Sequence, residues 1–155
     1  TVVVDSFSKP WAMTGWRIGW LAADPSLAVQ IAKAHQYMVS SAASFEMPAA
    51  AAALSVDPAP MLETYRARRA RVLAALEKMG LSVVEPAGAF YVFPSIKGTG
   101  LTSEQFCARA IEEAGAGLVP GSCFGSEGYV RLSYCVSDED LDEGLRRLDR
   151  FVAGL

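Results

Sequence analysis

Val2-Val3-Val4-Asp5-Ser6-Phe7-Ser8-Lys9-Pro10-Trp11-Ala12-Met13-Thr14-Gly15-Trp16-Arg17-Ile18-Gly19 stands almost at the first position of a chain of 155 residues. The three valines are a continuous β-branched run closed by polar residues, which predicts a buried parallel strand running into a loop. In α/β folds that junction is where chemistry is placed. A second apolar run, Ile18 to Ala23, predicts another strand. Asp24 as N-cap and Pro25 at the first helical position then start a helix that reaches about Val39. Ser40 to Ser44 is a loop of small residues, and the Ala-rich stretch from Phe45 to Leu54 is helical.

Asp57-Pro58-Ala59-Pro60 interrupts the pattern and is the expected hinge or sub-domain boundary. Beyond it Leu62, Tyr65, Arg69, Val72, Leu73, Leu76 and Met79 recur at helical spacing, with Gly80 as a stop, so an amphipathic helix is predicted over 61–79. Strands are expected at Leu81 to Val84 and Ala89 to Phe93. Thr102 with Gln105 three residues on is a capping box that opens a helix ending near Gly115. Gly117 to Val119 reads as a short strand. Tyr129 to Cys135 alternates, with Val130, Leu132 and Tyr134 on one face and Arg131 on the other. Ser137 with Asp140 caps a last helix, whose Leu141, Leu145, Leu148 and Phe151 form its buried stripe. Residues 61–155 thus read as an α+β layer and residues 1–44 as α/β, joined by a helix and hinge over 45–60.

The composition is 52% apolar and the mean hydropathy is positive, so some apolar surface is expected to lie against a partner. No apolar run approaches the ~18 residues of a membrane span. Net charge is −3 with the signs interspersed. The one basic cluster, Arg66, Arg68, Arg69 and Arg71, falls within a helical pattern and reads as a solvated face, so nucleic acid is not an expected partner. Cys107, Cys123 and Cys135 are odd in number and form no CxxC pair. They point to a reducing compartment, with the cytoplasm as the expected location, and Cys123 and Cys135 are read as small buried residues. His35 is read as an ordinary helix residue, and no metal site is expected. The start at Thr1, without Met and without a basic, apolar leader, reads as part of something longer.

Lys9 is one of four lysines against ten arginines, and it lies among Phe7, Pro10, Trp11 and Met13 just past a strand. Desolvation and a nearby cation such as Arg17 would both favour its neutral amine, the form that condenses with an aldehyde. The hydroxyls of Ser6 and Ser8 with the forked guanidinium of Arg17 would bind a phosphate. A lysine beside a phosphate site suggests pyridoxal phosphate. On these residues alone a loop lysine flanked by turn-forming serines stays open.

Ser6-Phe7-Ser8-Lys9 followed by Met13-Thr14-Gly15-Trp16-Arg17-Ile18-Gly19 resembles the cofactor-lysine signature of class I/II aminotransferases, the fold-type I pyridoxal-phosphate enzymes. Gly88-Ala89-Phe90-Tyr91-Val92-Phe93-Pro94 and Val119-Pro120-Gly121-Ser122-Cys123-Phe124-Gly125 running on to Val130-Arg131-Leu132-Ser133-Tyr134 resemble the same family, in the same order. The resemblance implies that Lys9 forms the Schiff base and shuttles the proton, that Ser6 and Arg17 bind the cofactor phosphate, and that Arg131 pairs with the substrate α-carboxylate. Tyr91 and Phe90 are read as core and cleft wall. It implies the C-terminal part of a large domain, as strand, loop, strand and helix over 1–44, then the connecting helix and hinge over 45–60 and a small α+β domain over 61–155. It further implies amino-group transfer between an amino acid and a 2-oxo acid by a homodimer. The contacts to the cofactor ring fall upstream in the family, so the chain by itself is expected to be inactive. A fold-type I lyase or synthase using the same residues stays open. So does the non-catalytic, ligand-binding aminotransferase-like domain of transcription regulators, although Met13-Thr14-Gly15-Trp16-Arg17 is more similar to the enzymes.

Overall fold

Two short runs separated by a loop that folds back on itself set the geometry of the first residues. In the computed structural model, which describes residues 1–155, strand β1 (Val3–Ser6) pairs with β2 (Gly19–Ala22) in the register Val3 to Ala22 and Ser6 to Gly19. The pairing with β2 is antiparallel, and within this chain Val4 is 75% exposed, where the valines suggested a buried strand with parallel neighbours. A parallel partner requires a long crossover, whereas the chain from Phe7 to Ile18 simply reverses and returns. Gly19 is required there, because a Cβ would stand 2.7 Å from the Asp5 carbonyl oxygen.

These strands belong to one of two compact units, Thr1–Pro60 and Met61–Leu155. The first gathers Phe7, Met13 and Ile18 against Ala50 and Ala53 of helix α2 (Glu46–Ala53). Trp11 closes that cluster, its ring 5.2 Å from Phe7 and its Nε1 donating to the Val56 carbonyl at 3.0 Å. Helix α1 (Pro25–Val39) starts as its cap predicts, the Asp24 carboxylate accepting the Ser26 N–H at 2.9 Å. None of its residues is buried.

Helix α3 (Ala59–Lys78) begins two residues earlier than its periodicity suggests. The Asp57 carboxylate accepts the Ala59 N–H at 3.0 Å, and Pro60 falls in the first turn, where a missing N–H is harmless. Strands β3 (Tyr91–Val92), β4 (Val119–Pro120) and β5 (Val130–Ser133) form an antiparallel sheet in the order β3-β5-β4. All are shorter than expected, and the strand predicted at Leu81 to Val84 is absent. Leu81 and Val83 do turn inward by alternation, and the Ser82 carbonyl accepts the Ser95 N–H at 2.8 Å. Pro86 and Pro94 donate no N–H, and Ala89 takes a left-handed φ of 64°, so no ladder propagates.

Helix α4 (Ser103–Ala114) carries the full Thr102–Gln105 capping box and stops at the left-handed Gly115. Helix α5 (Asp138–Ala153) is capped by Ser137 and buries Leu141, Leu145, Leu148 and Phe151. With Val72, Leu76, Phe106, Val130 and Leu132 they make one core, into which the Tyr134 ring is also sunk. No helix is long and apolar enough to cross a membrane.

The arginines of α3 correct the sequence reading. Rather than a solvated face, Arg68 donates to Asp138 at 2.8 Å, Arg71 reaches Asp138 and Asp142, and Arg69 donates to the Pro86 carbonyl at 2.7 Å. Only Arg66 pairs within its own helix, with Glu63. The hydrogen bonds from Arg68 and then Arg71 hold the Asp138 carboxyl below its usual value. A carboxyl depressed on folding adds stability above the ordinary carboxylate range and loses it as pH falls toward the folded value. The melting temperature should therefore be flat near neutrality and decline as pH drops through ~4. Asp138→Asn should start lower and decline less steeply in acid, and identical slopes would show that this pair contributes nothing.

Candidate functional site

The end of β1 brings two hydroxyls together. Ser6 Oγ lies 2.9 Å from Ser8 Oγ, accepts the Ser8 N–H at 3.0 Å and reaches the Ile18 carbonyl at 3.4 Å. The next residue, Phe7, donates its N–H to the same carbonyl, so the return strand closes beside the serines. Arg17 precedes that carbonyl and adopts a left-handed backbone, φ 52° and ψ 40°, at the end of the 3-10 turn Thr14–Trp16. A non-glycine residue there is uncommon and is held by its surroundings. One guanidinium nitrogen donates to the Thr14 carbonyl at 3.0 Å, and its other N–H groups have no acceptor in the chain.

Lys9 occupies the turn between these groups, its carbonyl accepting the Ala12 N–H at 3.3 Å. Phe7 and Met13 turn inward to the core while Lys9 is exposed. Two hydroxyls and a guanidinium with spare donors at one end of a two-stranded ribbon suit a phosphate, and a primary amine on the same loop suits an aldehyde. The donor set therefore fits pyridoxal phosphate.

Arg131 lies in the second unit, on β5, opposite Val119 of β4. Val130 and Leu132 point into the core, so strand alternation sends Arg131 to the other face, where it is half-buried. Its guanidinium carbon stands 4.6 Å from the centre of the Tyr91 ring and 4.8 Å from that of Phe124. It makes no hydrogen bond or ion pair. Every other arginine of this unit is so paired except Arg150, which is exposed. Tyr91 was read with Phe90 as core and cleft wall, whereas Phe124 was given no role. The signal for Tyr91 is its register with Ser133, which puts it diagonal to Arg131 on one face of the sheet.

The cysteines are not part of this chemistry. All three are free. Cys107 is buried, and burial, with a smaller effect of Cys123, pushes its thiol up to about 11. Cys123 and Cys135 are exposed, not buried as expected, since one sits on the 3-10 turn Gly121–Phe124 and the other just past the end of β5. The Cys135 sulfur lies 3.1 Å from the Tyr65 hydroxyl.

Known proteins share both the sequence and the fold. A probable N-acetyl-LL-diaminopimelate aminotransferase of Bacillus subtilis is 49% identical over 98% of this chain, and an aspartate aminotransferase of Pyrococcus horikoshii is 41% identical over 99%. The crystal structure of an aromatic aminotransferase from Pyrococcus horikoshii superposes with a TM-score of 0.93 at 41% identity, over 99% of this chain and 43% of the other. The chain spans about 40% of the length of the first two. Its fold is accordingly that of part of a fold-type I aminotransferase. The family model for "Aminotransferase class I and II" matches residues 1–148 without interruption, and the chain belongs to that family.

Proposed function

We propose that the protein is an aminotransferase that moves an amino group from an amino acid to a 2-oxo acid, using pyridoxal phosphate. The reading rests on one observation, the family match that runs through Lys9 and Arg131 alike. Residues 1–44 are then the last part of a large cofactor-binding domain, 45–60 the connecting helix and hinge, and 61–155 a small domain. When bound, the cofactor supplies an aldehyde that condenses with amines and a ring that withdraws electrons from the substrate Cα. Ser6 and Arg17 bind its phosphate through hydroxyl and guanidinium N–H donors. Lys9 Nζ would be the amine that meets the aldehyde, and it would carry a proton at the substrate Cα during turnover. Arg131 binds the α-carboxylate through its forked N–H edge. The names of the relatives range over N-acetyl-LL-diaminopimelate, aspartate and aromatic amino acids, so the proposal is for the reaction class.

Two further parts of the reading have their own support. Tyr37, Met38 and Phe45 are 93%, 80% and 67% exposed, large side chains suited to being covered by further chain and by a second subunit of a homodimer. Three free cysteines suit the reducing cytoplasm.

In the full-length enzyme Arg131→Lys should lower kcat/KM for the amino acid by about 10- to 100-fold while cofactor affinity stays at the wild-type value, because a point-charge ammonium cannot reproduce a forked carboxylate contact. Steady-state kinetics beside a cofactor titration would measure both, and an unaltered kcat/KM would remove Arg131 from substrate binding. Lys9→Ala should abolish turnover yet retain pyridoxal phosphate through Ser6 and Arg17. In the wild type, borohydride reduction should join the cofactor covalently to the peptide containing Lys9. Label on Lys33, Lys78 or Lys97 would overturn the assignment.

A further inference from the structure

Within this chain no carboxylate or carbonyl holds the Arg131 guanidinium, and two rings flank it. The Tyr91 and Phe124 ring centres, at 4.6 and 4.8 Å from the guanidinium carbon, are at distances where a ring face attracts a cation. Such contacts use no N–H donor, so they orient the group without competing for the hydrogen bonds a bound carboxylate needs. A salt bridge inside the protein would consume the same fork. The flanking rings also displace water, which strengthens any ion pair formed there.

Tyr91 is fixed by the sheet, but Phe124 is not. It ends the turn Gly121–Phe124, outside any strand. Its ring meets Phe93 edge-on at 6.0 Å, and Phe93 is itself stacked on Tyr129 at 5.4 Å. The loop that carries it is tied to the start of α4 by hydrogen bonds: the Ser122 hydroxyl donates to Glu104 at 3.4 Å, and the Glu127 carboxylate takes most of the rest. Glu127 accepts the Ser103 N–H at 2.6 Å, the Ser103 hydroxyl at 2.8 Å and the Gly128 N–H at 2.9 Å. Ser103 is wholly buried, and its Oγ also accepts the Ser122 N–H at 3.3 Å. A carboxylate is suited to that place because the first N–H groups of a helix lack partners and carry positive charge.

We propose that Tyr91 and Phe124 are positioning residues that hold the Arg131 guanidinium with its forked edge presented to a substrate carboxylate, and that Glu127 acts at one remove by pinning the Phe124 loop to α4. The proposal rests on the reading of Arg131 as the carboxylate anchor. It separates an aromatic requirement from a merely apolar one, since leucine fills space as phenylalanine does but offers no ring face.

The test uses the full-length enzyme and the L-amino acid that the wild type turns over fastest. Phe124→Leu and Tyr91→Leu should each raise KM about five- to tenfold with kcat little altered. Phe124→Tyr should restore KM, and Glu127→Gln should raise it in the same sense as Phe124→Leu. By NMR the Arg131 side-chain Nε–H should be ring-shifted in the wild type and should move toward the position of exposed Arg150 in Phe124→Leu. Melting temperatures identify any variant whose KM follows unfolding. If Arg131→Lys leaves kcat/KM unaltered, the anchor reading falls and the positioning role falls with it. If Arg131→Lys is damaging while the leucine variants keep the wild-type KM and the Arg131 signal does not move, the positioning proposal alone is overturned. It is likewise overturned if leucine and tyrosine at 124 behave alike.

Discussion

Strand β5 is the one strand of its sheet paired on both edges, with Tyr91 and Val92 on one side and Val119 and Pro120 on the other. A two-residue side-chain period then leaves no choice. Val130 and Leu132 must enter the core against α5, and Arg131 must face away. A one-residue slip would sink a guanidinium among Phe106, Leu145 and Phe151, which is why this short strand is so firmly specified. The same pairing carries Tyr91 to the Arg131 face. Burial of two aliphatic side chains and presentation of one cation are thus a single event in folding.

Local chemistry was legible where a residue and its partner stand a few positions apart. Asp24, Thr102 with Gln105, and Ser137 all cap the helices that their spacing announces. Each side chain needs only the next turn's N–H, so nothing remote can overrule it. Alternation in β5 was legible for the same reason. The extended run from Leu81 to Val84 kept its alternation but found no ladder, because prolines at 86 and 94 removed donors on both strands. Arg68 and Arg71 find acids 67 to 71 positions away, a distance at which charge spacing along one helix says nothing. Phe124 belongs to this group too, because only the closed loop brings it to Arg131.

The candidate cofactor residues show a different division. Ser6 and Ser8 are adjacent by strand geometry, one residue apart on a chain that turns between them, and their hydroxyls meet at 2.9 Å. Lys9 was expected in an apolar pocket because its neighbours in sequence are apolar. Those neighbours serve the core beneath, and within this chain Lys9 is exposed. Apolar residues around a lysine can mark its floor rather than its walls. The exposed left-handed Arg17 was not legible from composition, since backbone conformation at a single position follows from the tight return of β2 rather than from the residue itself.

The division into two units also sorts the chromophores. All three tryptophans, Trp11, Trp16 and Trp20, belong to Thr1–Pro60, and four of the five tyrosines belong to Met61–Leu155. Light absorbed at the red edge, where indole alone responds, therefore interrogates only the unit that carries Lys9. Trp11, wedged against Phe7 and tied to the Val56 carbonyl, makes that emission a reporter of how the lysine loop is seated, while the neighbourhood of Arg131 stays optically dark.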